Sequence, residues 1–231
     1  MEEKNGFLTE QEKQANKLAA QVMQITFLFF SLAYIMNFVG IFKVERGIMT
    51  LAYVAGSILL IVPSLLIMKF KIDSSYIKYL VILGAVSLVT LLSITLTYHV
   101  VVFYVYPIAI ASLYFSKKLN IITAVLTVTG VSIGQIAAFY LQTLSDDNFT
   151  ELHGVIVYGV VPRALILIAI AAIFTTLGKR TAAMLSNLMG AEEQERLLDN
   201  MKQMRASAAK TSEALYDMVS ELSEITEGSI Q

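Results

Sequence analysis

Charged residues cluster along the chain and leave several long, almost uninterrupted apolar stretches. A helix rises about 1.5 Å per residue, so about 20 apolar residues cross a hydrocarbon layer about 30 Å thick. Stretches of this kind predict an all-α integral membrane protein with six transmembrane helices. Their predicted bounds are residues 22–42, 48–68, 79–96, 100–115, 119–141 and 154–177.

The third and fourth spans come from a single uncharged stretch, residues 79–116. One helix over this stretch would be about 57 Å long, nearly twice the thickness of the hydrocarbon layer. The chain is therefore expected to fold back within it. The polar residues Thr97, Tyr98 and His99 lie near its middle, so the turn is predicted there.

Lys and Arg residues alternate between the loops, which predicts the orientation because positive residues are retained on the cytoplasmic side. Between spans four and five there are two lysines, whereas the loop between spans five and six is acidic. Both termini are therefore expected in the cytoplasm, with residues 1–21 as a cytoplasmic lead-in and the bundle in the plasma membrane. The residues assigned to the cytoplasmic side are Lys4, Lys13, Lys17, Lys69, Lys71, Lys78, Lys117, Lys118, Lys179 and Arg180.

Composition agrees with a membrane protein and excludes several functions. Hydrophobic residues make up 56% of the chain and charged residues 15%, with a mean hydropathy of +0.68, which excludes a water-soluble globule. A net charge of −1 gives no basic surface for nucleic acid. The chain has no cysteine, and its two histidines come without a ligand motif, so no metal or cofactor is expected. No catalytic motif is present, and no enzyme activity is expected.

After Arg180 the sequence becomes rich in Glu, Gln, Lys, Ser and Ala, which predicts a long cytoplasmic helix over residues 179–231. From about residue 197, apolar residues recur at alternating intervals of four and three, the pattern of a coiled-coil seam. Such a seam predicts a homodimer through this helix; the alternative is an amphipathic helix lying on the membrane or on the protein's own loops. The seam residues are Leu197, Met201, Met204, Ala208, Thr211, Leu215, Met218, Leu222 and Ile225.

Arg163 lies inside the sixth predicted span, next to Pro162. A lone guanidinium at this depth costs a few kcal/mol or more, so its side chain is expected to face the bundle interior. One interpretation is a contact with an anion or carboxylate ligand in a pocket open to the outer face. The other is structural, with Arg163 pairing to Asp146, Asp147 or Glu151.

The fourth predicted span carries aromatic residues that are candidates for lining a small-molecule cleft, namely Tyr104 and Tyr106, with His99 at its entry. The alternative is an interfacial aromatic belt, which needs no ligand and is preferred for Tyr98, Tyr140 and Tyr158, with the histidine as a solvated loop residue. On the fifth span, Gly130 and Gly134 form a GxxxG pattern, which is expected to let two helices pack closely.

Three polar residues lie within predicted spans and are interpreted as interhelical hydrogen-bonding groups. They are Gln24, Asn37 and Gln135.

Residues 191–231 resemble the start of the long cytoplasmic helix of methyl-accepting chemotaxis proteins. The resemblance rests on residues 206–210, 212–215 and 220–227, which are rich in Ser, Ala and Glu. It implies a bacterial receptor that controls a cytoplasmic histidine kinase and adapts by glutamate methylation. The last span is followed by no HAMP-like proline, and the paired Glu/Gln methylation pattern and the family's signalling tip are absent. We therefore expect a fragment of a longer protein.

Together these patterns favour a membrane sensor that relays a stimulus to a dimeric cytoplasmic helix. One alternative keeps the sensor but ends in a histidine kinase or nucleotide cyclase domain. Another alternative is a small six-span transporter or substrate-capture component, which would not need the seam of the tail.

Overall fold

A computed structural model describes residues 2–70, 74, 76–143 and 149–228. Side chains are described within these ranges except at residues 2–11, 98, 185, 188–195, 208, 209 and 212–228. The described residues form helices and no strand, in two units, Met1–Thr181 and Ala182–Gln231. The α-helices are α1 Glu2–Val39, α2 Arg46–Met68, α3 Ile77–Thr95, α4 Tyr106–Ser112, α5 Lys117–Tyr140, α6 Leu152–Gly154 and α7 Val161–Gly228. A 3-10 helix, Thr97–Val105, precedes α4, and a π-helical segment, Val155–Val160, precedes α7.

The expected all-α class is confirmed. In the part of the chain that the structure describes, five helical stretches are long and apolar enough to cross a membrane, which supports a membrane protein. They correspond to the first, second, third, fifth and sixth predicted spans. The five stretches are Glu12–Val39, Arg46–Met68, Ile77–Thr95, Lys117–Tyr140 and Leu152–Met184.

The fourth predicted span, residues 100–115, differs from the expected single α-helix. Its first part belongs to the 3-10 helix, and only α4 is α-helical. Val100 has non-helical dihedral angles (φ −128°, ψ 18°), and it begins a run of valines whose branched Cβ atoms lower helix propensity. The buried Tyr104 hydroxyl also donates a 2.8 Å hydrogen bond to the Thr97 carbonyl, which holds the tighter winding in place.

Helices α3 and α5 pack closely and run in the same direction. A Cβ atom on Gly130 would lie 2.3 Å from the Thr90 hydroxyl oxygen, and one on Gly134 would lie 1.8 Å from the Ser93 hydroxyl oxygen. Residue numbers increase together along both helices at this contact. The two glycines therefore allow a parallel approach that larger residues would prevent.

Contacts at both ends extend this parallel arrangement. Lys78 at the start of α3 and Lys118 at the start of α5 line one small pocket. At the other end, the Thr143 hydroxyl donates a 2.6 Å hydrogen bond to the Ile94 carbonyl. The chain between α3 and α5 must therefore return along the whole length of α3.

The 3-10 helix explains how so short a segment makes this return, which we call the return segment (residues 97–112). A 3-10 helix rises about 2.0 Å per residue against about 1.5 Å for an α-helix. Nine residues of 3-10 helix and seven of α4 together extend about 28 Å, which matches about 28 Å for the 19 residues of α3.

Helix α1 includes most of the expected lead-in. It begins at Glu2, and from Glu12 onward it packs against the other helices of the bundle. Lys78 Nζ lies 2.5 Å from Glu12 Oε1, and the Tyr114 hydroxyl donates a 2.8 Å hydrogen bond to Asn16 Oδ1. Residues 12–21 are therefore part of the bundle.

We expect Gly134→Ala to destabilise the protein, because its Cβ would also lie 3.0 Å from the Thr90 carbonyl oxygen, a backbone atom that moves little. Overpacking of this kind costs about 1–3 kcal/mol. Thermal unfolding in detergent micelles measures the effect. Gly47→Ala is the control, because its Cβ would meet only the Glu45 side chain at 3.6 Å. Equal melting temperatures for the two variants would contradict the close parallel packing.

Tyr114→Phe should destabilise the protein by about 1–3 kcal/mol, because it leaves the buried Asn16 oxygen without its donor. The same micelle assay measures this loss. Tyr76→Phe removes a hydroxyl from a side chain that is 80% exposed, and should have no effect. If Tyr114→Phe behaved like Tyr76→Phe, the contact of α1 with the end of α4 would not contribute to stability.

Candidate functional site

The chain makes a widened helical turn before α7, next to Pro162. Proline has no N–H, and in a regular α-helix its ring clashes with the carbonyl four residues earlier. The preceding segment is π-helical, and the Val161 N–H donates to the carbonyl of Ile156, five residues back. This winding accommodates Pro162 and brings Gly159 and Arg163 onto the inner side of the turn.

Side chains from three parts of the chain converge on Gly159. A Cβ atom there would lie 3.2 Å from Arg163 Nη1, 3.4 Å from Gln135 Oε1 and 3.4 Å from a ring carbon of Phe149. Glycine at this position leaves room for the guanidinium and the amide side by side. We call Gln135, Phe149, Gly159 and Arg163 the Gly159 cluster.

Gln135 is the most unusual member of this cluster. It is only 2% exposed, yet neither its amide oxygen nor its amide nitrogen has a hydrogen-bond partner among the described residues. The Tyr104 hydroxyl donates its proton to the Thr97 carbonyl, and its oxygen also interacts with the Gln135 side chain and with the Arg163 charge. An unsatisfied buried polar group costs about 1–3 kcal/mol, so this position is not optimised for stability.

The structure brings together two of the four predicted ligand-binding candidates. The Arg163 charge lies close enough to the Tyr104 hydroxyl to act on it electrostatically. Tyr106 lies two residues further along the chain, on a different face, where its ring stacks on Phe103 with centroids 4.7 Å apart. The His99 ring packs edge-on against Phe42 at 5.2 Å. The four candidates therefore do not line one cleft.

An apolar pocket of about 330 Å³ that opens beside the exposed ring of Phe29 lies apart from the Gly159 cluster. It lies between α1, α2, α3 and the 3-10 helix. Thr26 is the single polar residue among those that line it, and the Thr26 hydroxyl already donates to the Val22 carbonyl at 2.8 Å. The pocket therefore offers an uncharged, apolar surface to a guest.

Among the three polar residues interpreted as interhelical hydrogen-bonding groups, Asn37 has a different role. Asn37 donates from Nδ2 to the carbonyls of Phe42 and Val44, at 2.7 and 2.8 Å, so it fixes the loop that follows its own helix. Gln135 has no partner at full hydrogen-bond geometry among the described residues, but its amide interacts with the Tyr104 hydroxyl of the 3-10 helix, so its interhelical role stays a prediction. Sequence reasoning missed the role of Gly159, although its position three residues before Pro162 was a usable signal.

Other predicted groups are placed as follows. Gly130 and Gly134 lie at the contact with α3 described above. Asp146 and Asp147, proposed as partners of Arg163, lie outside the described residues. Within the described part of the chain, no group of three His, Asp or Glu side chains is close enough to hold a metal ion.

Comparisons with known proteins found no match to a protein-family model, a curated protein or a solved structure.

We expect Gln135→Leu to stabilise the structure by about 1 kcal/mol or more, since it removes an unsatisfied amide and keeps a similar volume. The melting temperature in detergent micelles should therefore rise. Asn37→Leu is the matched comparison, because it leaves two carbonyls without their donor and should lower the melting temperature. A fall for both variants would show that the Gln135 amide is in fact satisfied.

Proposed function

We propose that the protein is a six-span membrane transducer that passes a conformational signal from its bundle to a dimeric cytoplasmic helix. The observation that carries the proposal is the extent of α7, which runs for 68 residues from Val161 to Gly228. A membrane crossing needs only about 20 of them. A transport bundle alone has no use for the remainder.

The six-span topology is supported by the parallel packing of α3 and α5. If both helices cross the membrane in the same direction, the return segment between them crosses in the opposite direction. If the return segment crosses, there are six spans and both termini lie on the same side of the membrane, which the distribution of Lys and Arg predicts to be the cytoplasm. If it does not cross, there are five spans and the termini lie on opposite sides.

Dimerisation of the tail is supported by the exposure of its predicted seam. Leu197 is 57% exposed, and Met201 and Met204 are 52% and 66% exposed. Their spacing of four and three residues places them along one stripe of the helix. Pairing with a second copy would remove these side chains from water. The side chains of Ala208, Leu215, Met218, Leu222 and Ile225 lie outside the described part.

The Gly159 cluster supports the coupling of the bundle to this tail. Arg163 is in the first turn of α7, so a change in the cluster acts directly on the helix that continues into the tail. The output we propose is control of a cytoplasmic kinase complex. The resemblance of residues 191–231 to chemotaxis transducers supports this choice.

Cysteine accessibility tests the six-span topology, because the chain has no cysteine of its own. Cysteines are introduced singly at the exposed positions Lys17, Lys118, His153 and Lys179. A membrane-impermeant thiol reagent should label only the His153→Cys variant in intact cells, and the other three after permeabilisation. Labelling of the variants at Lys118 and Lys179, but not Lys17, in intact cells would mean that the return segment does not cross.

Disulfide cross-linking tests the dimer. Leu197→Cys lies on the predicted seam, and Leu198→Cys lies beside it with almost the same exposure, 57% against 58%. Adjacent residues on a helix point about 100° apart. On oxidation in membranes, the Leu197→Cys variant should form dimers several-fold faster than the Leu198→Cys variant. Equal rates would contradict a parallel coiled coil with this seam.

A further inference from the structure

The apolar pocket between α1, α2, α3 and the 3-10 helix reaches from the surface of the bundle towards its core. At its mouth, the ring of Phe29 is 67% exposed. Its inner side is formed by Leu60, Leu88 and Leu92, which are at most 3% exposed. We call this space the Phe29 pocket. It extends inward from the exposed side of α1, across the bundle rather than along it.

In a bundle that spans a bilayer, the mouth of the Phe29 pocket lies near the middle of the hydrocarbon layer. Phe29 lies 12 residues after Lys17, the last charged residue before the first span, and 10 residues before Val39, where α1 ends. These separations correspond to about 18 Å and about 15 Å along the helix axis. Lipid headgroups do not reach this depth, so a molecule that enters the pocket comes from the hydrocarbon phase.

The lining of the pocket excludes water and polar ligands. Thr26 is its single polar residue, and the Thr26 hydroxyl donates to the Val22 carbonyl and interacts with the Tyr106 hydroxyl. A buried water needs at least about two polar partners, which this lining does not offer. A polar ligand would lose its hydrogen bonds to water without gaining replacements. The occupant that fits this lining is therefore uncharged and apolar.

The volume and the aromatic lining of the pocket favour a small ring-containing molecule. A dry apolar cavity of about 150 Å³ is large enough to bind benzene. The Phe29 pocket, at about 330 Å³, has about twice that volume. The rings of Phe29, Phe30 and Phe103 line it. Aromatic rings in offset or edge-to-face contact gain energy beyond the area that they bury, so these side chains favour an aromatic guest.

The direction of the pocket disfavours the acyl tail of a phospholipid. Such a tail is tied to a headgroup at the membrane surface and extends along the bilayer normal. To fill the pocket it would have to turn sideways at its end and leave the neighbouring tails. A small molecule without a headgroup is free to enter sideways past Phe29.

We propose that the Phe29 pocket binds an uncharged aromatic hydrocarbon of about two rings that is dissolved in the bilayer. Val100 and Phe103 of the 3-10 helix belong to the wall of the pocket, so the bound molecule contacts the return segment as well as the core. The site goes beyond the function proposed above and does not require the tail to dimerise.

Fluorescence of a single introduced tryptophan tests the site, because the chain has no tryptophan of its own. The Phe103→Trp variant keeps an aromatic ring in the wall, and the control Leu83→Trp lies on α3 at a position that is 57% exposed and outside the pocket. Both variants in phosphatidylcholine bilayers are titrated with brominated biphenyl, whose bromine quenches tryptophan on contact. Quenching should saturate for Phe103→Trp and rise in proportion to the dissolved probe for Leu83→Trp. A proportional rise in both variants would overturn the proposal.

A variant that fills the pocket tests the position of the bound molecule. In the Phe103→Trp background, Ala33→Leu places a larger side chain in the pocket and should weaken the saturable quenching several-fold. The control Ala55→Leu makes the same exchange at a half-buried position of α2 outside the pocket, and should leave that quenching unchanged. A cooperative melting transition in micelles shows that both variants have folded. Equal saturable quenching in the two would place the probe elsewhere and overturn the assignment.

Bilayers whose phosphatidylcholine carries bromine on its acyl chains distinguish the aromatic guest from a lipid tail. With saturating unbrominated biphenyl present, the lipid should quench Phe103→Trp several-fold less than Leu83→Trp, because biphenyl excludes lipid tails from the pocket. Equal quenching of the two variants would show that a lipid tail occupies the pocket, and would overturn the choice of ligand. A failure of the site is distinguishable from a failure of the transducer proposal, which the comparison of Leu197→Cys with Leu198→Cys tests separately.

Discussion

The close parallel contact between α3 and α5 determines the path of the rest of the bundle. Two glycines on α5 face hydroxyl side chains on α3, and no larger residue would allow that approach. Since the helices are parallel, the chain between them has to travel back over their full length. The 3-10 winding of residues 97–105 follows from this requirement, because it covers the distance with fewer residues than an α-helix needs.

The buried polar side chains of the bundle differ in whether they have hydrogen-bond partners. Asn16 and Asn37 have partners that tie helix ends or loops together. On α5, the Asn120 amide oxygen, the Thr123 hydroxyl and the Gln135 amide are instead buried without a partner at hydrogen-bond geometry among the described residues. Where water is absent, such groups raise the energy of the state that contains them.

Much of the helical architecture follows from the sequence, because the length of an apolar stretch and the position of charged residues depend on the membrane rather than on tertiary contacts. Five of the six predicted spans correspond to long apolar helices. The fourth does not, since its winding depends on the hydrogen bond from Tyr104 to Thr97 and on the distance it must cover beside α3. No property of residues 100–115 alone reveals that distance.

The candidate site was predictable only in part. The cost of a buried guanidinium singles out Arg163 from the sequence. That Gln135 and Gly159 lie beside it cannot be read from the sequence. The π-helical turn before Pro162 determines which residues of α5 face which residues of the last helical stretch. The same dependence on winding separates Tyr106 from Tyr104, although the two are nearly adjacent in the chain.

The return segment has one further consequence for the proposed bundle. Rewinding its nine 3-10 residues into α-helix would shorten it by about 4 Å, since each residue would rise about 0.5 Å less. Helices α1, α2, α3 and α5 are already α-helical, so rewinding cannot shorten them in the same way. A change in the thickness of the surrounding lipid would thus be taken up first at this segment, beside the turn at Thr97 and the ring of Tyr104.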